Sequence, residues 1–474
     1  DIPIVDAVGE AVTQFTSWEK NDGYVVQGLS FEETVDRIDP DTELIGLSCM
    51  FTHSWPMIRE LLRCVHERFP DVLLVAGGEH VTSMYEMVME QTPVDLCVLG
   101  EGEETLLELL DAIAAEKSHQ EIPGLAVRDA ESDKVVKTGA RARIRNVDDL
   151  PWPAWDLIDP MAYLETKVYI GPSVGKPIPM LATRGCPYQC TFCSSKNMWT
   201  TRYWTRDVKD VVDEMEHYQK QFGASDFQFQ DLTAIIKKSW IVDFCNEIIS
   251  RKLDLTWQIP VGTRSEAIDS EVAELLVKSG CTYIQYAPES GSEKILKSIK
   301  KRVKLDNLLE SVQGTLDAGM RVCVLLIIGF PDETKEDLRA TFRFMRRLAR
   351  MGVHEIAISC LVPLPGTEIF ENLRKDSLIE LDDDYCYWMS GATAMTQVKS
   401  WNPRFTDSQI IRKKLWGLSQ FYALSFLLHP TRFFHVVKNL ITGKQDTKVD
   451  RVLRELVEKR KVLKKVDRPT ATAG

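Results

Sequence analysis

Two hydrophobic patterns alternate along the first part of the chain. Short apolar runs, typical of strands buried on both faces, are each followed by apolar residues at helical spacing. The runs lie at 45–48, 72–76 and 96–99, and the helical patterns lie at 56–69, 81–90 and in a stretch ending at Ala114. Strands that alternate with helices predict a parallel sheet whose ligands bind at the carboxyl ends of its strands. We therefore expect an α/β, doubly wound, Rossmann-like domain over residues 1–130.

Turn-forming residues dominate the segment that follows this domain. Pro and Gly recur in groups such as Pro123-Gly124 and Pro151-Trp152-Pro153, and such groups punctuate regular structure. We expect a small β extension over 125–136 and a connecting linker over residues 131–179.

The alternation of strands and helices returns at Met180, with six strands and a helix between each strand and the next. It predicts a (β/α)6 partial TIM barrel over residues 180–372, with active groups on the loops after the strands. The predicted strands are 180–184, 227–230, 256–262, 283–287, 322–328 and 355–361. The predicted helices are 207–222, 236–251, 269–279, 292–319 and 333–352.

The last segment, residues 373–474, is expected to be a mostly helical, basic region. An irregular aromatic stretch over 376–406 precedes an apolar helical pattern over 413–428, which His429-Pro430 interrupts. A second pattern follows over 433–441 and a charged helix is expected over 449–466.

Composition limits the class of protein. The chain has 474 residues, of which 44% are hydrophobic and 27% charged, as in ordinary soluble proteins. No apolar run reaches about 18 residues, the length of a membrane span, and the first residues lack the basic and apolar segments of a leader. Most of the 11 Cys are scattered in apolar runs, which is typical of a reducing compartment. We therefore expect a cytoplasmic protein.

The net charge of −12 conceals an asymmetry. Residues 404–474 contain 16 Lys and Arg against 6 Asp and Glu, a net charge of +10, so residues 1–403 carry −22. A basic, aromatic helical stretch over 413–444 could make peripheral contact with a membrane surface. The alternative, which we favour, is that these helices pack on the barrel with their Lys and Arg solvated.

Three closely spaced cysteines, Cys186, Cys190 and Cys193, give the strongest chemical signal. Three thiolates on one loop can hold an iron–sulfur cluster, and because such clusters usually take four Cys ligands, one iron is left open. A structural zinc site is the alternative. Zinc requires four ligands, and the next candidates along the chain are His217 and Cys245, so the cluster is favoured.

This Cys-x-x-x-Cys-x-x-Cys pattern, with Phe192 before the last Cys, resembles the radical S-adenosylmethionine (SAM) superfamily. The resemblance implies a 4Fe–4S cluster whose open iron binds SAM, and a flavodoxin-like or ferredoxin-like electron donor. It also implies SAM contacts from residues in the cluster loop or near strand ends. These are Phe192, Asp231, Arg264, Glu289, Ser290, Gly329 and Leu361. Each alone could equally be a helix cap or a surface charge.

Gly-rich turns follow the strands of the first domain and resemble the cobalamin-binding domain that precedes many radical SAM domains. The resemblance implies cobalamin contacts from a set of residues in these turns. They are Ser48, Gly77, Gly78, Glu79, His80, Gly100, Glu101 and Gly102. The Asp-x-His-x-x-Gly signature is absent, so cobalamin is expected without a ligand of that kind, although His53 and His80 are candidates. The family's domain normally opens with a further strand and helix, which this sequence lacks.

Together these resemblances imply methylation of an unactivated carbon of a small or lipid-like substrate, through a 5′-deoxyadenosyl radical and methylcobalamin. Three alternatives stay open: a cyclase or ring-rearranging enzyme with the same cofactors, a radical SAM enzyme whose first domain no longer binds cobalamin, and a non-catalytic scaffold. NAD is disfavoured because Gly-x-Gly-x-x-Gly is missing. The acidic body argues against a nucleic-acid partner.

Overall fold

The structure is a computed structural model that describes residues 2–21, 23–129, 132–165, 171–172, 175–392 and 397–442. Its strands are β1 Phe15–Ser17, β2 Val25–Gln27, β3 Leu44–Ser48, β4 Leu73–Gly77, β5 Leu96–Val98, β6 Leu125–Arg128, β7 Val135–Lys137, β8 Pro177–Met180, β9 Thr183–Gly185, β10 Tyr203–Thr205, β11 Asp226–Phe229, β12 Thr256–Thr263, β13 Cys281–Glu289, β14 Arg321–Ile328 and β15 Glu355–Cys360.

The α-helices, in chain order, are α1 Phe31–Val35, α2 Trp55–Arg68, α3 Glu79–Gln91, α4 Glu103–Ala114, α5 Pro160–Glu165, α6 Ser195–Trp199, α7 Val208–Phe222, α8 Lys238–Arg251, α9 Ser270–Lys278, α10 Glu293–Ser298, α11 Leu305–Asp317, α12 Lys335–Met351, α13 Glu368–Lys375, α14 Asp383–Gly391, α15 Asp407–Leu428 and α16 Pro430–Thr442.

The first large sheet has the strand order β3-β4-β5-β6-β7. Strands β3, β4 and β5 are parallel, whereas β6 and β7 continue the sheet antiparallel. The apolar runs of β4 and β5 are buried because α2 and α3 contribute core residues such as Trp55, Leu62 and Val88. The predicted α/β class is confirmed, and the β extension forms the two antiparallel strands.

The second large sheet has the order β15-β14-β13-β12-β11-β8, and every recorded pairing in it is parallel. Its strands are rich in fully buried residues, including Phe227, Ile284, Val322 and Val324. This is the six-stranded, parallel core of the predicted partial barrel. Because all six strands point the same way, their carboxyl ends and the loops that follow them lie at one end of the barrel.

Three predicted boundaries in and after the barrel were wrong. The strand expected over 180–184 is divided, because β8 joins the barrel whereas β9 pairs antiparallel with β10. The helix expected over 292–319 is broken between α10 and α11. The stretch 376–406, expected to be irregular, contains α14, whose Cys386 packs into the core of the first domain.

The helix pair α15 and α16 follows the barrel, with the break at His429-Pro430 where it was expected. Helix α15 packs against α12 and β15, so this part of the C-terminal region covers the barrel as we favoured. Within the described residues, no helix has the length and apolarity needed to cross a membrane. The helix predicted over 449–466 lies outside the described residues.

Gly417 permits the close approach of α15 to the barrel. A Cβ atom there would lie 2.9 Å from Phe342 Cε1 and 3.0 Å from Ile358 Cδ1. We expect Gly417→Leu to lower the free energy of unfolding by about 1–3 kcal/mol, because the added atoms overpack this contact. Urea denaturation measures the loss. Ser419→Leu, on the exposed side of the same helix, is the matched control, and an equal loss in both variants would contradict this packing.

Candidate active site

The loop with the three cysteines connects β9 to α6 and is fixed by backbone hydrogen bonds on two sides. The Thr191 N–H donates to the Ile299 carbonyl at 3.1 Å, and the Thr191 carbonyl accepts from the Ile369 N–H at 3.1 Å. Inside the loop, the Cys193 N–H donates to the Cys190 carbonyl at 3.2 Å. The segments after β13 and β15 therefore determine where the cysteines lie.

The three thiols are half-buried and interact electrostatically with one another. Burial raises the pKa of Cys190 to about 11 and also raises the pKa of Cys186, while the positive charge of Lys301 opposes both shifts. Among the described residues, no three His, Cys, Asp or Glu side chains are grouped to hold a single metal ion. Three cysteines are one ligand fewer than a 4Fe–4S cluster usually takes, so a cluster bound here would keep one iron open.

Lys301 is a largely buried cation that acts electrostatically on Cys186 and Cys190, and it was not among the predicted site residues. Its Nζ lies 3.0 Å from Glu289 Oε1, and the two side chains are almost completely buried. Burial lowers the pKa of Lys301, but the negative charges of Glu289 and Cys190 and the hydrogen bond to Glu289 together raise it above its ordinary value. Glu289 has a φ of 70° at the end of β13, an unusual conformation for a residue other than glycine. The two side chains thus form a fixed ion pair beside the cysteine loop.

Arg264, one of the predicted SAM contacts, supports the same loop from another side. Its guanidinium lies over the Tyr188 ring at 3.7 Å from the centroid, in a cation–π contact. It also donates to the Glu266 carboxylate and to the Arg302 carbonyl. These contacts bring together the loops after β12 and β13 and the cysteine loop.

Asp231 is fully buried next to the start of the cysteine loop. Its carboxylate accepts hydrogen bonds from the Ala182 N–H at 3.1 Å and the Thr183 N–H at 2.6 Å. Burial raises the pKa of Asp231 to about 6, although these bonds oppose the shift. The carboxylate therefore holds the turn between β8 and β9, and the cofactor contact predicted for Asp231 stays a prediction.

The other predicted SAM contacts are divided between two regions. Phe192 lies against Phe330 with ring centroids 5.9 Å apart, and Leu361 belongs to the same apolar cluster. Ser290 is fully buried, with its hydroxyl 3.2 Å from that of Thr341 on α12. The Gly329 N–H donates to Glu333 Oε2 at 2.6 Å. The structure thus brings Phe192 and Leu361 together, whereas the side chain of Ser290 faces away from them into a helix.

Glu333 is a buried carboxyl that the sequence patterns did not indicate. Burial raises its pKa to about 8, with the Gly329 N–H opposing the shift. Its Oε1 atom has no hydrogen-bond partner among the described residues. A neutral carboxyl at this position can donate a hydrogen bond near the end of β14.

Close backbone packing shapes the turn after β4. Gly78 has a φ of 110°, and a Cβ atom there would lie 2.5 Å from the Cys49 carbonyl oxygen. The Cys49 N–H donates to the Gly77 carbonyl at 2.8 Å. The loops after β3 and β4 are therefore in contact, and large apolar side chains at Met50 and Phe51 remain exposed beside them.

His80 occupies the core of the first domain. Its ring is 1% exposed, lies 5.0 Å from the Trp55 ring and has Nδ1 3.0 Å from the Thr52 hydroxyl. Burial lowers its pKa to about 4, so the imidazole is neutral. His53 is half-buried against Phe51. The His80 ring is therefore part of the packing of α3 and does not face solvent at the strand ends.

Glu101 connects the first domain to the cysteine loop and to the linker. Its buried carboxylate pairs with Arg184 on β9 at 3.3 Å and with Arg143, and accepts from the Ile144 N–H at 3.1 Å. Gly100 and Gly102 flank it, and the Gly100 N–H donates to the Thr82 hydroxyl at 3.0 Å. These contacts join the two domains, and the cofactor contact predicted for Glu101 stays a prediction.

Helix α3 of the first domain directly contacts α6, which follows the cysteine loop. The Asn197 side-chain amide donates to the Ser83 hydroxyl at 3.2 Å and to the Gly366 carbonyl at 3.0 Å. Burial raises the pKa of Glu79 to about 7, whereas the Ser194 hydroxyl opposes the shift. The turn after β4 therefore faces the cysteine loop.

Most of the supporting residues could not be predicted from motifs. Arg184 stands two positions before the first cysteine, and this adjacency was the available signal for it. Asn197, Tyr188 and Lys301 carry no motif, since their roles depend on which loops meet at the end of the barrel.

Comparison with known proteins identifies both domains. The model of the radical SAM superfamily matches residues 180–345, and the model of the B12 binding domain matches residues 21–110. An uncharacterised methyltransferase of Pyrococcus horikoshii, PH0819, is 28% identical over 436 residues, which is 90% of each chain. The anaerobic magnesium-protoporphyrin IX monomethyl ester cyclase of Cereibacter sphaeroides is 30% identical over 77% of this chain and 56% of its own length.

A solved structure shares the fold. The radical S-adenosylmethionine methyltransferase TsrM of Kitasatospora setae, solved with cobalamin and a [4Fe-4S] cluster bound, superposes with a TM-score of 0.61 at 20% identity. The match covers 73% of this chain and 69% of that chain.

A cysteine loop after the first barrel strand, facing a B12 binding domain, defines a radical SAM enzyme with a cobalamin domain. The chain belongs to the radical SAM superfamily, in its cobalamin-dependent group.

The charge cluster around Glu101 gives a prediction for the contact between the domains. We expect Glu101→Ala to lower the free energy of unfolding by about 3 kcal/mol, because Arg143 and Arg184 would lose their buried partner. Thermal and urea denaturation measure the effect. Glu104→Ala is the control, since Glu104 is exposed and pairs only at the surface with Arg141. If the two substitutions cost the same, Glu101 has no special role between the domains.

Proposed function

We propose that this chain is a methyltransferase that adds a methyl group to an unactivated carbon of a small or lipid-like substrate. The observation that carries the proposal is the direct contact between α3, which follows the turn after β4, and α6, the helix after the cysteine loop. A methyl donor held in the first domain would then lie on the same side as a radical generated at the cysteine loop. Proximity of reacting groups is a large part of what such an enzyme supplies.

The residues on the cysteine loop fit an iron–sulfur cluster. Cys186, Cys190 and Cys193 would be its ligands, and the buried ammonium of Lys301 would offset the negative charge of the thiolates. When bound, the cofactors supply radical generation from SAM and a transferable methyl group. The protein's part is to hold the loop through Thr191, to exclude water with Phe192 and its neighbours, and to present Arg264 and Glu289 as fixed charges.

The first domain fits a large, partly apolar ligand. Gly77 has no side chain at the end of β4, where a Cβ atom would come no closer than 3.8 Å to Val98, and Met50 and Phe51 expose apolar surface beside it. Since the His80 ring is buried, we propose that cobalamin is held by Ser48 and these turns without a ligand from His80.

A cyclase or ring-rearranging enzyme with the same cofactors is the second candidate. The cyclase of Cereibacter sphaeroides is slightly more identical to this chain than PH0819, but the matched region covers 56% of the cyclase and 90% of PH0819. The full-length match favours the methyltransferase. The mass of the product distinguishes the two, because methylation adds one carbon.

The cysteine loop is the first target for a test. We expect a Cys186/Cys190/Cys193→Ala variant to lose cluster iron and to form 5′-deoxyadenosine from SAM at least about a hundredfold more slowly, because three ligands are removed. Iron analysis and anaerobic turnover with reductant measure this. Cobalamin retention should be unchanged.

Cys64→Ala is the matched control, because Cys64 is also half-buried but lies on α2. Cluster loss in both variants, or SAM cleavage that survives the triple substitution, would contradict the proposed role of the loop.

We further propose that a small flavodoxin-like or ferredoxin-like protein supplies the electron that reduces the cluster.

We also propose that α16 makes a peripheral contact with a membrane surface. Support for the membrane contact comes from one face of α16, which exposes Phe433, Phe434, Val437 and Ile441. A basic residue, Lys438, lies within the same helix, and basic amphipathic helices bind anionic lipid.

Vesicle binding tests the membrane contact. We expect Phe434→Glu/Ile441→Glu to reduce co-sedimentation with vesicles of mixed anionic and zwitterionic lipid about tenfold, since both substitutions place charge on the apolar face. The control is Leu107→Glu, which changes an exposed apolar residue on α4. Equal binding by all three proteins, or no binding by the unsubstituted chain, would contradict the contact.

A further inference from the structure

A positively charged surface borders the cysteine loop on its outer side. We name it the basic rim, and it consists of Lys294, Lys297, Lys300, Arg302 and Lys304. These residues line an open cavity of about 1090 Å³, and Pro187–Gln189 of the cysteine loop line it as well. No lining residue belongs to a barrel strand or to the first domain. The cavity is therefore separate from the region between the two domains, where the substrate is proposed to react.

The basic rim contrasts with the charge of the body that carries it. Residues 293–307 contain six Lys and Arg and two acidic residues, whereas residues 1–403 as a whole carry −22. Lys294 pairs with Asp337 at 3.4 Å and Lys300 with Glu368 at 2.5 Å. Among the described residues, no ion pair is recorded for the other three members of the rim. Their charge is available to an external partner.

The segment that carries the rim also reaches the cysteines. The Ile299 carbonyl accepts from the Thr191 N–H at 3.1 Å. Lys301 points inward to Glu289 and acts electrostatically on Cys190 and Cys186. The segment at the break between α10 and α11 therefore places exposed cations beside the loop that would hold the cluster, where Pro187 and Gln189 are exposed as well.

We propose that the basic rim is the docking surface for an acidic one-electron carrier protein that reduces the cluster. This inference rests on the proposed function, since it assumes a cluster on the three cysteines. The reduced carrier gives up one electron, the cluster gains it, and no bond in either protein is formed or broken. Opposite charges on two such surfaces speed their encounter and make it sensitive to salt.

Charge reversal tests the docking surface. We expect Lys297→Glu/Arg302→Glu/Lys304→Glu to weaken binding of an acidic flavodoxin about tenfold or more at low salt, and to slow cluster reduction by reduced flavodoxin to a similar extent. Reduction by methyl viologen, a small cation, should not slow. Titration calorimetry and rapid-mixing absorbance measure both quantities in the reconstituted enzyme without substrate. Because neither measurement involves methyl transfer, failure of the proposed methyltransferase activity would not change the flavodoxin affinity or the reduction rate.

The matched control reverses three exposed lysines on other helices, Lys209→Glu/Lys220→Glu/Lys278→Glu, and should keep the original affinity and rate. If the charge-reversed variant loses cluster iron, Lys297→Gln/Arg302→Gln/Lys304→Gln takes its place. Because this variant removes the charges without reversing them, we expect an intermediate loss of flavodoxin affinity and of reduction rate. Equal flavodoxin kinetics in rim and control variants would overturn the proposal. The proposal would also be overturned if the rim variant no longer bound a single-stranded RNA probe but still bound flavodoxin as tightly as the unsubstituted chain.

Discussion

Three cysteine thiolates repel one another, and a single loop cannot hold them in place alone. The structure restrains this loop from several directions. Backbone bonds join Thr191 to Ile299 and Ile369, and Arg264 stacks on Tyr188. The buried ammonium of Lys301 supplies the opposing charge. Because these groups come from loops after different barrel strands, the conformation of the cysteine loop depends on an intact barrel.

The same loop also determines how the two domains meet. Arg184 precedes the cysteines and pairs with Glu101 of the first domain, while Asn197 follows them and bonds to Ser83. The loop is thus held at both ends by the domain that matches the B12 binding family. A change that alters the cysteine loop would be transmitted to the other domain through these contacts, so the chemistry and the domain contact depend on one short segment.

Sequence patterns predicted the strands well wherever they were apolar and buried, as for β4 and β14. They failed where local periodicity and tertiary structure differ. The apolar spacing over 292–319 continues through a break, because Ile299 and Val303 pack inward from a loop. Asp231 and Glu101 were predicted to contact cofactors, and those contacts stay predictions. Their hydrogen-bond and ion-pair partners come from distant segments of the chain, which sequence spacing does not reveal. Lys301 belonged to a charged run and could not be distinguished from its exposed neighbours.

The central claim is that a cluster on the three cysteines and a cobalamin in the first domain share one reaction space. Pulsed electron paramagnetic resonance on the reconstituted protein, with both the cluster and the cobalt paramagnetic, tests it most directly. We predict a magnetic dipolar coupling between the two centres that disappears when the cysteines are replaced. Two full-strength signals without coupling would show that the sites are far apart, and would contradict the account.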